Sequence, residues 1–252
     1  MAARPEPLPP GGLAKLAPGS SCAYFFDVDG TLLEIKPRPE DVISDEDLRL
    51  LLVALAAVAG GALALVSGRM VDDIDRIFAP LAFPAAGLHG AEIRFPDGSR
   101  TCAESAVMDE ARPKLRDFVA AHPGARLEDK GATLAIHFRQ RPELEGEVRA
   151  FLAGFAQGGL AVQEGKLVAE LKQGQYNKGA AIAALLEAPP FLGRRPVFIG
   201  DDLTDEKGFR LVNEKGGLSV RVGPPENATE ARLRLNDPAE LRRELGALVA
   251  VC

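Results

Sequence analysis

The chain has no tryptophan, two tyrosines and three methionines, and its three cysteines, Cys22, Cys102 and Cys252, stand far apart. With no CxxC pair among them, neither a disulfide framework nor a cysteine-bound zinc is expected, and a reducing cytoplasm fits. Positive charge is short as well. A formal net charge of −6 argues against nucleic acid, whose binding needs Lys and Arg to neutralise phosphates, but leaves room for a small anionic ligand held by a few local cations. A long apolar run is also missing. Leu50 to Val66 comes nearest, yet it falls short of the roughly 20 residues of a spanning helix and is broken by Gly60-Gly61, so a buried helix followed by a buried strand is expected and no membrane span.

What remains is the composition of a soluble globular protein: 252 residues, 46% hydrophobic and 26% charged, enough for one large domain or two modest ones. The first twenty residues are rich in Pro and Gly with no apolar core of signal-peptide length, and are expected to form a flexible tail. Ser21–Asp27 reads as a buried strand running into a loop, followed by a helix over 45–58 and a strand over 62–66. Ser67-Gly68-Arg69 then opens a helix. Residues 195–200 repeat the pattern of strand and acidic loop before a helix near 204–212. Alternation of this kind predicts a parallel α/β sheet, with ligands beyond the carboxyl ends of its strands.

The middle differs. Strands are expected over 125–130, 133–139, 160–164 and 166–172, each pair preceded by a helix. Leu134, Ile136 and Phe138 share one face with Thr133, His137 and Arg139 opposite. Leu167, Ala169 and Leu171 likewise oppose Lys166, Glu170 and Lys172. Period two with one polar face marks a sheet covered on one side, so a small α+β domain inserted into the first is expected. The expected boundaries are 1–20 for the tail, 21–105 and 174–252 for the core, and 106–173 for the insertion.

The most informative residues are Asp27-Val28-Asp29-Gly30-Thr31. Residues two apart on an extended backbone face the same way, so both carboxylates can serve one site, and Gly30 permits a tight turn. A second acidic loop runs from Gly200 through Asp201, Asp202, Leu203, Thr204 and Asp205 to Glu206. Thr204 or Asp205 could cap the next helix, but capping leaves Asp201 and Asp202 unexplained. If the loops converge, each pair of carboxylates about 4 Å apart repels by roughly 4 kcal/mol at an effective dielectric of about 20. A bound cation removes that cost, and oxygen ligands without Cys or His nearby select Mg²⁺ before Zn²⁺. Ser67 and Gly68 can offer a hydroxyl and backbone N–H groups to an anion, and Lys178, at a helix start, a point positive charge. The plain alternatives are a helix cap and a surface lysine.

In this order, DVDGT, SGR, a lone Lys opening a helix and GDDLTDE resemble the haloacid dehalogenase superfamily of phosphatases, over nearly the whole chain beyond the tail. The resemblance implies a Rossmann-like parallel-sheet core with an inserted α+β cap. More narrowly, GLHGAE at 87–92, Glu128-Asp129-Lys130, His137-Phe138-Arg139, Gly165–Glu170 and Tyr176–Gly179 are similar to the trehalose-6-phosphate phosphatases. This implies Asp27 as the nucleophile that becomes aspartyl-phosphate and Asp29 as the acid and base. Ser67 and Lys178 would hold the phosphoryl group, with Gly68, Arg69 and His89 in the substrate loops. Mg²⁺ would sit on Asp27, the Asp29 carbonyl and Asp201, supported by Asp202 and Asp205. Glu128, Lys130 and Glu170 would bind sugar hydroxyls. The substrate would be a sugar phosphate, and a trehalose-6-phosphate synthase would be the pathway partner. Another sugar phosphate, or a silent sugar-phosphate-binding domain that regulates a synthase, stays open at this stage.

Overall fold

The computed structural model describes residues 4–36, 38–165, 167–224 and 228–251; Lys166 and Cys252, both named above, and the first three residues of the expected tail lie outside them. In chain order the elements begin with β1 (Glu6–Pro7), α1 (Gly12–Leu16), β2 (Cys22–Phe26), α2 (Glu46–Val58), β3 (Leu63–Val66), α3 (Val71–Phe78), β4 (Ala85–Gly87), β5 (Glu92–Arg94) and β6 (Arg100–Cys102). Next come α4 (Ala111–Ala121), β7 (Arg126–Asp129), β8 (Leu134–His137), α5 (Glu145–Ala153), β9 (Leu160–Gly165) and β10 (Val168–Gln173). The chain closes with α6 (Lys178–Leu186), β11 (Arg195–Gly200), α7 (Glu206–Glu214), β12 (Leu218–Val222), β13 (Leu233–Leu235) and α8 (Pro238–Ala250). These elements form two compact units, 1–101 with 177–252, and 102–176.

In the first unit nine strands make one sheet, ordered β1-β13-β12-β11-β2-β3-β4-β5-β6. Every pairing from β1 to β4 is parallel, and β5 runs antiparallel to β4. β2 is buried along its whole length, as a central parallel strand must be. Its alternate residues part between two cores. Tyr24 and Phe26 pack with Leu52, Leu55, Ile199 and Leu245 on one face; Ala23 and Phe25 pack with Ile182, Phe198 and Phe209 on the other. From β2 the chain moves to β3 and β4 on one side, and from β11 to β12 and β13 on the other. The strand order therefore reverses between β2 and β11, the kind of crevice in which open α/β sheets hold their ligands.

The N-terminal residues correct the expectation of a tail. Leu8, Leu13 and Ala17 are buried in the same core as Tyr24, β1 adds a parallel edge strand to β13, and the Tyr24 hydroxyl donates to the Ala17 carbonyl at 2.5 Å. The buried Glu244 of α8 accepts from the backbone N–H groups of Gly11 (2.8 Å) and Leu13 (3.2 Å). Composition misled here because β13 and Glu244 lie more than 200 residues away, and no local pattern announces them.

The second unit is a four-stranded antiparallel sheet, ordered β7-β8-β10-β9. Leu134, Ile136, Phe138, Ala169 and Leu171 pack with Leu115 of α4 and with Val148 and Leu152 of α5, so the apolar faces lie as the period-two reading has them. The opposite face is less open than a solvated polar surface: Thr133 is 0% exposed, and Glu170 and Lys172 are each 6% exposed. No helix among the described residues is long and apolar enough to cross a membrane.

Candidate active site

Each core residue of interest sits where an element ends or begins. Asp27 directly follows β2, Ser67 follows β3, Asp201 follows β11, and Lys178 opens α6. Because β2 and β11 are hydrogen-bonded neighbours, and the Asp27 N–H donates to the Ile199 carbonyl at 2.9 Å, the two acidic loops meet. Asp27, Asp201 and Asp205 bring carboxylate oxygens within 4.8 Å of one another.

Gly30 makes that approach possible. Its φ of 82° favours glycine, and a Cβ there would overlap the Asp201 carboxylate. Thr31, buried and without a role in the sequence reading, lies between the loops, its hydroxyl 3.5 Å from Asp27 Oδ2 and 3.4 Å from Asp201 Oδ1.

Lys178 is 2% exposed and joins the two acids, donating to Asp27 Oδ1 at 2.8 Å and to Asp205 Oδ1 at 2.7 Å. The Asn177 side chain caps the helix that Lys178 begins. The other oxygen of Asp205 accepts from the N–H groups of Asp201 (3.0 Å) and Asp202 (3.1 Å). Asp205 thus orders the loop and anchors the lysine. Asp202 instead accepts from the Thr204 N–H and hydroxyl, at 2.7 and 2.6 Å, as the cap of a short 3₁₀ turn.

The electrostatics follow from burial. Asp27 is pushed well above the ordinary carboxylate range by burial, against the Lys178 charge. Burial, with Asp205 and Asp202 close by, raises Asp201 to about 7. Burial likewise raises Asp205 to about 8 despite Lys178. Lys178 is itself opposed by burial, but Asp205 and Asp27 hold its pKa above the ordinary lysine range. For Asp202, Lys178 and Thr204 outweigh burial and keep the carboxylate below its usual range. One ammonium among three clustered carboxylates leaves the site short of positive charge. The donors are all oxygens, so the residues present fit a hard divalent cation.

Asp29 and Asp202 do not join the acidic cluster by their side chains. Asp29 is held in a two-pronged ion pair by Arg69, Nε to Oδ2 and Nη2 to Oδ1, both 2.7 Å. Ser67 is buried and its hydroxyl accepts from the Arg69 N–H at 3.2 Å. The Gly87–Glu92 loop supports this stretch from behind. His89 N–H donates to the Ser67 carbonyl at 3.0 Å and Leu88 N–H to the Arg69 carbonyl at 2.8 Å. Glu92 accepts from Val71 N–H at 2.9 Å. Leu88 and His89 have φ of 50° and 54°, and two successive left-handed non-glycine residues are costly enough to mark a constrained loop. A Cβ on Gly68 would strike the His89 ring, so Gly68 is needed for the two loops to touch. Glu92 ends the GLHGAE stretch, where residue type alone assigns it no role.

In the second unit Glu128, Lys130 and Glu170 come together. Lys130 Nζ lies 3.8 Å from Glu128 Oε2 and 3.4 Å from Glu170 Oε1. Two partners were not foreseen: His137 Nε2 lies 2.7 Å from Glu128 Oε2, and the Thr133 hydroxyl donates to Glu170 Oε1 at 2.7 Å. Both residues are on the polar face by alternation, and that was the available signal.

In fold, the chain is similar to phosphatases of known structure. A Bacteroides thetaiotaomicron phosphatase of the haloalkanoate (HAD) superfamily shares the fold with a TM-score of 0.62 at 17% identity, over 90% of this chain and 94% of that one. The C-terminal domain of C. albicans trehalose-6-phosphate phosphatase superposes with a TM-score of 0.81 at 21% identity, covering 93% and 94%. In sequence, the trehalose-6-phosphate phosphatase of Escherichia coli (strain K12) is 44% identical over 84% of this chain and 81% of its own length. The trehalose-phosphatase family matches residues 25–239. The chain belongs to that family.

Proposed function

We propose that this protein hydrolyses trehalose 6-phosphate to trehalose and phosphate, with Mg²⁺ as cofactor and Asp27 as nucleophile. The observation that carries the reading is Asp27 itself: buried, at the end of the central strand, 2.8 Å from Lys178 and clustered with Asp201, in a chain 44% identical to an enzyme of that name.

An Asp27 oxygen attacks phosphorus as the bond from phosphorus to the sugar oxygen breaks, and Asp29 gives that oxygen a proton. Asp29 then takes a proton from water, which attacks the aspartyl-phosphate, releases phosphate and restores Asp27. Lys178, the Ser67 hydroxyl and the Gly68 N–H hold the phosphoryl oxygens while charge shifts among them. Asp27, the Asp29 carbonyl and Asp201, with Asp202 and Asp205 behind, would hold Mg²⁺, which would supply the positive charge that lets an anionic nucleophile approach a phosphate. Asp29 can reach the leaving oxygen only when Arg69 releases it, and the anionic substrate gives Arg69 another anion to pair with. His89, in the neighbouring Gly87–Glu92 loop, belongs to the same substrate site.

Residues 21–105 and 174–252 serve as the catalytic core and 106–173 as the cap, whose Glu128, Lys130 and Glu170 bind the sugar hydroxyls. A reducing cytoplasm suits the scattered cysteines, and a trehalose-6-phosphate synthase is the fitting pathway partner. Phosphate release from trehalose 6-phosphate, sucrose 6-phosphate, mannosylglycerate phosphate and an aryl phosphate, with Mg²⁺ or EDTA, tests the reading. Trehalose 6-phosphate should be preferred, with activity lost in EDTA and in Asp27→Asn. Turnover by Asp27→Asn near the parent rate would refute the nucleophile, and preference for another sugar would refute the substrate.

A further inference from the structure

On the polar face of the second unit, the middle strand offers a short pattern to its neighbours. Glu128 of β7 and Glu170 of β10 are both paired in register with Ala135 of β8. The two carboxylates therefore flank a methyl group, with no bulky side chain between them. Two residues to either side of Ala135, on the same face, are Thr133 and His137. Each reaches the carboxylate on its own side: Thr133 to Glu170 Oε1 and His137 to Glu128 Oε2, both at 2.7 Å. Lys130 also approaches these same two oxygens, at 3.4 and 3.8 Å. Glu128 Oε1 has no hydrogen-bond partner among the described residues, so it remains an acceptor for a hydroxyl donor.

We infer that Thr133 and His137 are positioning residues which fix the two carboxylates across Ala135, and so set the spacing at which hydroxyl groups of the substrate are read. The inference rests on the proposal that Glu128 and Glu170 bind the sugar. A carboxylate on a freely rotating Glu chain must lose rotamer entropy each time it binds. Glu128, already held at Oε2, presents Oε1 at a set place. The bond from His137 also leads the effects that keep Glu128 below the ordinary carboxylate range, which suits a charged acceptor.

The test compares kcat/KM for trehalose 6-phosphate with that for p-nitrophenyl phosphate, which has no sugar hydroxyls. His137→Leu and Thr133→Val should each lower the ratio of the two about tenfold, through KM of the disaccharide phosphate, the size of one lost bond to a charged group. His137→Gln, whose amide nitrogen can stand where Nε2 stands, and Thr133→Ser should stay within about threefold of the parent, since the held carboxylate keeps a donor. A ratio unchanged in the Leu and Val variants would overturn the inference. So would Gln and Ser variants as poor as Leu and Val with the parent's melting temperature. Should His137→Leu not fold, His137→Asn, polar but too short to reach, takes its place with the same expected fall. Glu128→Gln separates the two levels. If it leaves the ratio unchanged, the sugar reading itself fails; if it lowers the ratio while His137→Leu does not, only the positioning role fails.

Discussion

Binding of the cation should be coupled to proton release, and Asp201 sets the size of the effect. With its pKa near 7, this carboxylate holds a proton about nine times in ten at pH 6 and about one time in ten at pH 8, and a metal ligand must be deprotonated. Apparent Mg²⁺ affinity should therefore rise about tenfold from pH 6 to pH 8 from this group alone. Asp27, also raised by burial, adds in the same direction. The sign for stability is opposite. A carboxylate raised in the folded state binds more protons folded than unfolded between its ordinary value and about 7. Its stabilising contribution is therefore full below pH 4 and is lost as pH climbs through 7, by an amount on the order of 4 kcal/mol at most. Chelated protein should then melt lower at pH 8 than at pH 6, and Mg²⁺ should raise the melting temperature more at pH 8. Calorimetric titration at pH 7 in two buffers of different ionisation enthalpy measures the protons released, expected to be about half a proton or more per ion. Affinity independent of pH between 6 and 8, with no proton released, would refute the account of a buried cluster short of positive charge.

Three further outcomes are expected. Lys178→Met leaves Asp27 and Asp205 buried without their shared cation, and should cost about 3–5 kcal/mol in urea unfolding, with activity lost. Gly30→Ala places a methyl group against Asp201 at a φ of 82°; it should weaken Mg²⁺ binding at least tenfold, measured by titration, while Gly98→Ala, with open space around it, should not. Glu244→Ala frees the Gly11 and Leu13 amides, and should cost about 1–3 kcal/mol in urea unfolding. Those two amides should lose hydrogen-exchange protection ahead of the β2 amides.

Much of this architecture was legible in the sequence because it is written locally. The run from Cys22 to Phe26, the acid and glycine after it and the period-two faces of β8 and β10 each carry their own signal, and each element stands within a few residues of its expected place. The four motif positions, Asp27, Ser67, Lys178 and Asp201, announce themselves by residue type at an element boundary. What stayed hidden depends on partners distant in sequence. Nothing near Pro9-Pro10-Gly11-Gly12 reveals Glu244. Nothing in DVDGT reveals that Asp29 is held by Arg69, 40 residues on. The division of labour in GDDLTDE was hidden for another reason. Three aspartates within five positions look interchangeable until the structure shows that Asp201 faces the cluster, Asp202 caps, and Asp205 anchors the lysine.

The position of β11 governs when this site can exist at all during synthesis. Its strand lies between β2 and β12, yet it is made long after β2, with the whole second unit emerging in between; Thr31 and the Asp201 it contacts are 170 residues apart. A growing chain therefore carries β2 with one edge unpaired until residue 200 has left the ribosome, and long-range parallel pairing of this kind is slow and open to aggregation. Conditions that delay the last quarter of the chain should reduce the yield of soluble protein more than any that delay the first.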